Sequence, residues 1–547
     1  MPEAGAVAKA IFDGGPASAP PRRLAFGTAG FRAKAGELDV VMFRVGALAA
    51  LRAAQTGKVV GVMVTASHNE GADNGSKIVD PDGGMLAADW ESIATALANA
   101  GDLAAVEAAL AQLALPPAGA PAHVVLGRDT RLSSPHLAGL VAGGVAAAGG
   151  SVHELGIVTT PQVHWAVRGA NLATPATVPP LSDYYEEHIA ALRTLLSAGD
   201  VAPITIYVDC ANGVGAKSVA DMRSALQSSG LPVTLVGFNT EDVDFLNSGC
   251  GAEFVQKSKE LPRNFDAVAA EAAAAGGCVL WASFDGDADR VVMFYAEGSD
   301  LVLLDGDKMA CLLARSIAQM LVAVDLRLSL GVVQTAYANG ASTVFLKQTL
   351  ASMGCSWDIA TVATGVKHLH HKAQEYDIGV YFEANGHGTV LFSPTARAAI
   401  SAAASRERQA GAGIGAAQKL EALSLLINPA IGDALSDLLA VVAVLVVEHI
   451  SVQQMAAMYK DLPSLMTKVM VRDRTLLKTS ADETQVLDPK ELQSKIDALA
   501  AGVDKGRSFV RPSGTEDCVR VYAEGSTQAA ADGLAQDVGK QVALLLG

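Results

Sequence analysis

Four apolar runs of strand character, VVGVMV at 59–64, CVLWASF at 278–284, DIGVYF at 377–382 and SFV at 508–510, each give way to a polar segment rich in turn residues. Runs this short, bounded in this way, predict buried strands. The segments that follow are TASHN at 65–69, DGDADR at 285–290, EANGHG at 383–388 and RPSGTED at 511–517. All four are expected to be loops at the carboxyl ends of strands, where open α/β sheets keep their ligands.

The same pattern divides the chain. VPPLSD at 178–183 is a proline-marked break, and ITIYVDCANGVGA at 204–216 opens a second strand-and-glycine-turn unit. That unit runs through DGDADR and the strand VVMFY, and a third opens after LDGDK at 304–308. The third ends in LLAVVAVLVV at 438–447, bounded by Asp437 and Glu448 and too short for the roughly 20 residues of a membrane span, hence a buried helix. The stretch 395–418, rich in Ala, Gly, Arg and Gln, suits an exposed helix or a mobile connection. From about residue 456 the pattern turns to shorter alternations, LMTKVMVRD and CVRVYAEG, with the helical segments LQSKIDALAAG and LAQDVGKQVALLL. The expected segments are 1–183, 184–302 and 303–455, all α/β, and an α+β segment 456–547. A length of 547 residues fits three or four domains at roughly 150 residues each.

Composition changes this picture little. Half the residues are hydrophobic and 18% charged, which is globular, and AVAAEAAAAGG at 267–277 reads as helix. A net charge of −16 argues against general attraction to nucleic acid or an anionic membrane, so an anionic substrate needs a local basic site. The six cysteines, at 210, 250, 278, 311, 355 and 518, form no CxxC pair and suit reduced cytosolic thiols. The amino terminus lacks the basic start and apolar core of a secretory signal, and a cytoplasmic location is expected.

The chemistry lies in the four loops. Asp285, Asp287 and Asp289 alternate after a strand and would repel one another unless a hard divalent cation such as Mg²⁺ took their oxygens as ligands. A calcium EF-hand is excluded, because Arg290 stands where its turn glycine belongs and Ala296 where its bidentate glutamate belongs. Ser67, followed by His68, Asn69 and then Lys77 in DNGSK, has a basic group near enough to serve a phosphorylated side chain. A phosphoserine there would add the oxygen ligand that closes a metal site with the aspartates. Arg511, Ser513, Gly514 and Thr515 combine a guanidinium, two hydroxyls and an approachable backbone, which suits a phosphate held without being transferred. Glu383, Asn385 and His387 suit vicinal sugar hydroxyls.

These motifs, with FGTAGFR at 26–32, TGVKHLHHKA at 364–373 and VRVYAE after RPSGTED, resemble the α-D-phosphohexomutases over nearly the whole chain. EANGHG and TGVKHLHHKA favour the branch that handles N-acetylglucosamine phosphates over the glucose and mannose branches. The resemblance implies three α/β mixed-sheet domains plus a C-terminal α+β domain around a central cleft. It implies a reversible exchange of N-acetylglucosamine 6-phosphate and 1-phosphate through phosphoserine at Ser67 and a sugar 1,6-bisphosphate, with Mg²⁺, feeding UDP-N-acetylglucosamine synthesis. Arg32, Lys77 and His387 are the implied acid–base set, His68 belongs with the catalytic serine, and Arg290 either screens the metal loop or touches the phosphoserine. Glu70 departs from the proline the family often has after TASHN. A monomer acting on a small amino-sugar phosphate is expected, the alternatives being a glucose or mannose phosphate mutase and a catalytically silent sugar-phosphate binder.

Overall fold

The computed structural model describes residues 2–547 apart from 17–18, 28–29, 115–118, 198–200, 299, 412 and 515. The chain forms two compact units. The first comprises Met1–Asp305, Asn385–Thr389 and Glu421–His449; the second comprises Gly306–Ala384, Val390–Leu420 and Ile450–Gly547.

The first unit holds two five-stranded mixed sheets built on one plan. One contains β1 (Phe31–Lys34), β2 (Val60–Val64), β3 (Asp73–Val79), β4 (His123–Arg128) and β5 (Ser151–Ile157), in the order β1-β3-β2-β4-β5. The strands β2, β4 and β5 run parallel, while β3 and β1 are added antiparallel at the β2 side. The other contains β6 (Ile204–Asp209), β7 (Val233–Phe238), β8 (Cys278–Phe284), β9 (Val291–Glu297) and β10 (Asp300–Leu304), in the order β10-β9-β8-β6-β7. Here β8, β6 and β7 are parallel and β9 and β10 antiparallel. Every residue of β2 is buried, which is why that strand reads as a continuous apolar run rather than an alternation.

The apolar run near 440 forms the helix Ala434–Val447, buried from Ala434 to Leu445. A helix apolar all round belongs inside a core. Its amino end is capped by Asp433, which accepts from the amides of Leu435 and Ser436 and from the Tyr184 hydroxyl at 2.8 Å. The Ala-rich stretch forms the helix Phe265–Ala275.

The second unit carries a sheet of β11 (Ser329–Thr335), β12 (Ser356–Val362), β13 (Ile378–Phe382) and, from Val390 on, β14 (Gly388–Phe392), in the order β12-β11-β13-β14. It also carries β15 (Ser464–Met470), the short pair β16 (Lys478–Thr479) and β17 (Val486–Asp488), and β18 (Arg507–Pro512) and β19 (Cys518–Glu524). The antiparallel order β15-β19-β18 presents Val510, Val519 and Val521 to a core shared with Leu534, Val538 and Val542 of the helix Gln528–Leu546. The segment 395–418 forms most of the helix Pro394–Ala410, capped by Ser393, and the start of Ala416–Leu426.

One expected boundary moves. Arg511 and Pro512 are the last residues of β18, paired with Arg520 and Val519, so the loop begins at Ser513. Proline is tolerated there because β18 is an edge strand.

Candidate active site

Ser67 follows β2 by three residues and has φ of +52°, in the left-handed region. Such a conformation costs a non-glycine residue about 1–3 kcal/mol and persists only where the surroundings enforce it. The surroundings here are specific. The Ser67 amide donates to Thr65 Oγ1 at 2.9 Å, and its carbonyl accepts from Arg131 Nη2 and Asn247 Nδ2, both at 2.9 Å. Arg131, almost wholly buried, also donates to the carbonyls of Asn69 at 2.7 Å, Asp73 at 2.9 Å and Glu70, while its Nε pairs with Asp129 at 2.9 Å. One guanidinium thus spans the whole loop that carries the serine.

The Ser67 hydroxyl donates to Asp285 Oδ2 at 2.8 Å. Asp285, Asp287 and Asp289 lie in the loop joining β8 to β9, all buried, each offering a ligand oxygen within 4.8 Å of the others. Gly286 lets this loop approach the serine: a Cβ there would sit 2.6 Å from the Ser67 carbonyl oxygen and 2.7 Å from Asn247 Nδ2. Burial, then the charges of Asp289 and Asp287, push the Asp285 carboxyl well above the usual carboxylate range. Burial acts on Asp289 in the same sense, but Lys77, His387 and Arg290 together hold it well below that range.

Lys77, on β3 opposite Met63, reaches Asp287 and Asp289 at 2.7 Å each. Burial disfavours its charge, yet the two carboxylates outweigh burial and raise its pKa. Arg290 Nε lies 3.8 Å from both Asp285 and Asp289, and its Nη1 donates to Glu253 at 2.9 Å, which puts its charge beside the aspartate loop. His68 has a pKa lowered to about 2 by burial and by Arg290 and Arg32. It is neutral, accepting on Nδ1 from Arg32 at 3.4 Å and facing Glu253 with Nε2 at 3.2 Å, a hydrogen bond rather than an ion pair. Arg32, on β1, is buried beside the same group, its pKa lowered by burial and by Arg290.

His387 lies against this cluster. Its Nδ1 donates to the Asp289 carbonyl at 2.8 Å, and its buried Nε2 has no hydrogen-bond partner. Gly386, at φ +85°, allows that approach, since a Cβ there would be 1.8 Å from the Val291 carbonyl oxygen. Asn385 uses its side-chain oxygen to accept from the His387 amide at 3.0 Å.

The donor set fits a hard cation. It consists of carboxylate oxygens with a serine hydroxyl alongside, and Asp287 Oδ1 and Asp289 Oδ1 are buried without a hydrogen-bond partner among the described residues. Asp287 is further oriented by Thr160, whose hydroxyl donates to Oδ2 at 2.6 Å and whose amide donates to the Asp287 carbonyl.

A second group lies in the second unit. Arg511 Nε donates to the Tyr337 hydroxyl at 3.0 Å, with the guanidinium 5.5 Å from that ring's centre, and Nη1 is 3.9 Å from Glu483 Oε1. Tyr337 packs edge-on against Phe509 and Tyr522. Ser513 is buried and its amide donates to the Cys518 carbonyl at 2.9 Å, while Gly514 is exposed. Thr515 lies outside the described residues. Glu383 directly follows the strand β13, and its backbone packs on Gly306 at the start of the helix Gly306–Ala323.

Ser67, the three aspartates, Lys77, Arg32, His68, Arg290 and His387 therefore form one cluster, with Asn385 bonded to its edge. Arg131, Asn247, Glu253 and Thr160 belong to it and were not singled out from the sequence. GRDTR at 127–131, a charged stretch ending an apolar strand, is the one signal that points to any of them.

Comparison with known proteins assigns the architecture a family. Residues 36–105 and 98–178 match the model of phosphoglucomutase/phosphomannomutase alpha/beta/alpha domain I, residues 305–450 that of phosphoacetylglucosamine mutase AMG1, domain III, and residues 466–541 that of the phosphoglucomutase/phosphomannomutase C-terminal domain. The chain belongs to the α-D-phosphohexomutase family and, within it, to the phosphoacetylglucosamine mutases. It is 45% identical to the phosphoacetylglucosamine mutase of Sus scrofa over 522 residues, 94% of this chain and 93% of that one. It also superposes on the crystal structure of Aspergillus fumigatus N-acetylphosphoglucosamine mutase with GlcNAc-6P and magnesium, at TM-score 0.89 and 40% identity over 98% of each chain. A serine-to-alanine variant of the Aspergillus enzyme in complex with glucose 1,6-bisphosphate gives a TM-score of 0.84 at 38% identity, again over 98% of each chain.

Proposed function

We propose that the protein interconverts N-acetylglucosamine 6-phosphate and N-acetylglucosamine 1-phosphate through a phosphorylated Ser67 and a sugar 1,6-bisphosphate. The observation that carries this reading is the Ser67 hydroxyl, held in a left-handed turn 2.8 Å from Asp285 within a buried carboxylate triplet. It is supported by relatives of the same length that bear that activity's name and bind GlcNAc-6P, magnesium and glucose 1,6-bisphosphate.

The phosphoryl group on Ser67 passes to the free hydroxyl of the sugar phosphate, and the other phosphoryl group of the resulting bisphosphate returns to Ser67. Asp285, Asp287 and Asp289, with an oxygen of the Ser67 phosphate, would hold Mg²⁺, which would supply charge neutralisation at the serine ester. Lys77, Arg32 and Arg290 place positive charge around that phosphate. His387 is the position for the moving proton: its Nδ1 is committed to the Asp289 carbonyl, which leaves Nε2 for the substrate. Lys77, tied to two carboxylates that favour its charge, suits charge balance better than proton abstraction. His68 acts through Arg32 and Glu253 to hold the serine's neighbours in place. Glu383 and Asn385 take ring hydroxyls, and Arg511 with the 513–515 backbone and hydroxyls takes the phosphate that is not being transferred.

The division at 183, 302 and 455 is part of the same reading, supported by the five-, five-, four- and three-stranded sheets following one another along the chain, although β10 (Asp300–Leu304) runs across the division at 302. Monomeric action in the cytoplasm also belongs to it. Among the described residues no helix is long and apolar enough to cross a membrane.

Intact-mass measurement after incubation with Mg²⁺ and a sugar 1,6-bisphosphate tests the mechanism. One added phosphoryl group in the native protein and none in Ser67→Ala is expected; a phosphorylated Ser67→Ala protein with undiminished turnover would overturn it.

A further inference from the structure

The second unit contains an acid that no part of the phosphate-holding role calls for. Glu483 sits at the tip of the turn between β16 and β17, with φ of +61°. The turn is stiff: the Glu483 amide donates to the Ser480 carbonyl at 3.0 Å, and Asp482 Oδ1 accepts from the amide of Thr484 at 3.2 Å and its hydroxyl at 2.9 Å. A left-handed tip is the place for glycine or asparagine, and glutamate there carries a strain that its side chain must justify.

That side chain is aimed. Oε2 accepts from the Thr364 amide at 2.9 Å and from the Thr364 hydroxyl at 2.5 Å, which turns Oε1 toward Arg511 Nη1 at 3.9 Å. The separation is short enough for attraction and too long for a closed hydrogen bond. Arg511 is anchored at the other end by Tyr337, so only its Nη edge is left to serve an anion. A carboxylate beside that edge opposes a phosphate dianion placed there.

We propose that Glu483 is a built-in competitor for the phosphate held by Arg511, pairing with the guanidinium whenever the phosphate departs. The proposal rests on the reading of Arg511 as the clamp for the non-transferred phosphate. A bisphosphate intermediate must give up that clamp once in every turnover, because the two phosphates exchange roles. A clamp with no competitor would hold the first phosphate too well. Glu483 shortens that hold and keeps the arginine oriented for the second phosphate. Thr364, the first residue of TGVKHLHHKA, positions the carboxylate and is a positioning residue in this scheme.

The test is calorimetric titration of the full-length protein with inorganic phosphate, alongside steady-state kinetics, for the native protein, Glu483→Gln and Arg511→Ala. Glutamine keeps an oxygen for both Thr364 donors and loses only the charge, and a thermal melt checks that it folds. Glu483→Gln is expected to bind phosphate about threefold more tightly, the scale of a partly exposed ion pair. Its KM and kcat should fall together, a split that a merely structural role would not produce. Unchanged or weaker phosphate binding by Glu483→Gln, with Arg511→Ala binding phosphate poorly, would overturn the competitor while leaving the clamp. Unchanged binding by Arg511→Ala would remove the clamp and the competitor with it.

Discussion

Ser67 is held by donors drawn from far along the chain, and that sets the limits of reading its surroundings from sequence. Its carbonyl is fixed by Arg131, 64 residues away, and by Asn247, 180 residues away. Replacing Arg131 by methionine would strand the Asp129 carboxylate in the core and cost about 3–5 kcal/mol of stability, measurable by denaturant unfolding. Arg131→Lys keeps the charge but not the fork, and phosphoenzyme formation is expected to fall well before stability does. Thr160→Val removes the hydroxyl that orients Asp287, and magnesium affinity should weaken about tenfold or more in a metal titration of activity. Ser67 and the aspartates were legible because each motif is contiguous and its repulsions are visible in the letters themselves. Arg131, Asn247, Glu253 and Glu483 were not, because their meaning comes from tertiary partners that no local pattern records.

At the scale of elements, strands and caps deliver the site. The runs before TASHN, DGDADR and EANGHG form β2, β8 and β13, as their apolar character predicts, and the helix near 440 is buried as expected. Sheet order was not legible: β1 pairs with β3, β2 with β4 and β6 with β8, pairings between strands that are not consecutive in sequence. The pairing of β3 with β2 is what sets Lys77 near the serine loop, as DNGSK led one to expect, and it also sets Lys77 against Asp287 and Asp289, which the sequence did not indicate. The closeness of the metal loop to the serine loop depends on Gly286. Gly286→Ala is expected to cost about 1–3 kcal/mol through overpacking against the Ser67 carbonyl and to reduce turnover far more than that loss of stability explains. A melt and a rate constant, measured side by side, check it.

At the scale of the molecule, the proposed reaction needs a chain of net charge −16 to concentrate cations locally, and Lys77, Arg32 and Arg290 cluster in the first unit while Arg511 lies in the second. A metal held by the buried aspartates predicts that a chelator abolishes turnover and that added Mg²⁺ restores it without refolding. Restoration by Mg²⁺ but poorly by the larger Ca²⁺ is expected of a compact oxygen site, and the assay is the rate itself. The central claim is the reaction together with its sugar. It is tested by phosphorus NMR of the purified protein with Mg²⁺ and a trace of sugar 1,6-bisphosphate, offered the 6-phosphates of N-acetylglucosamine, glucose and mannose in separate samples. Fastest appearance of the 1-phosphate from N-acetylglucosamine 6-phosphate is the predicted result; preference for glucose or mannose 6-phosphate, or no turnover of any of the three, would contradict it.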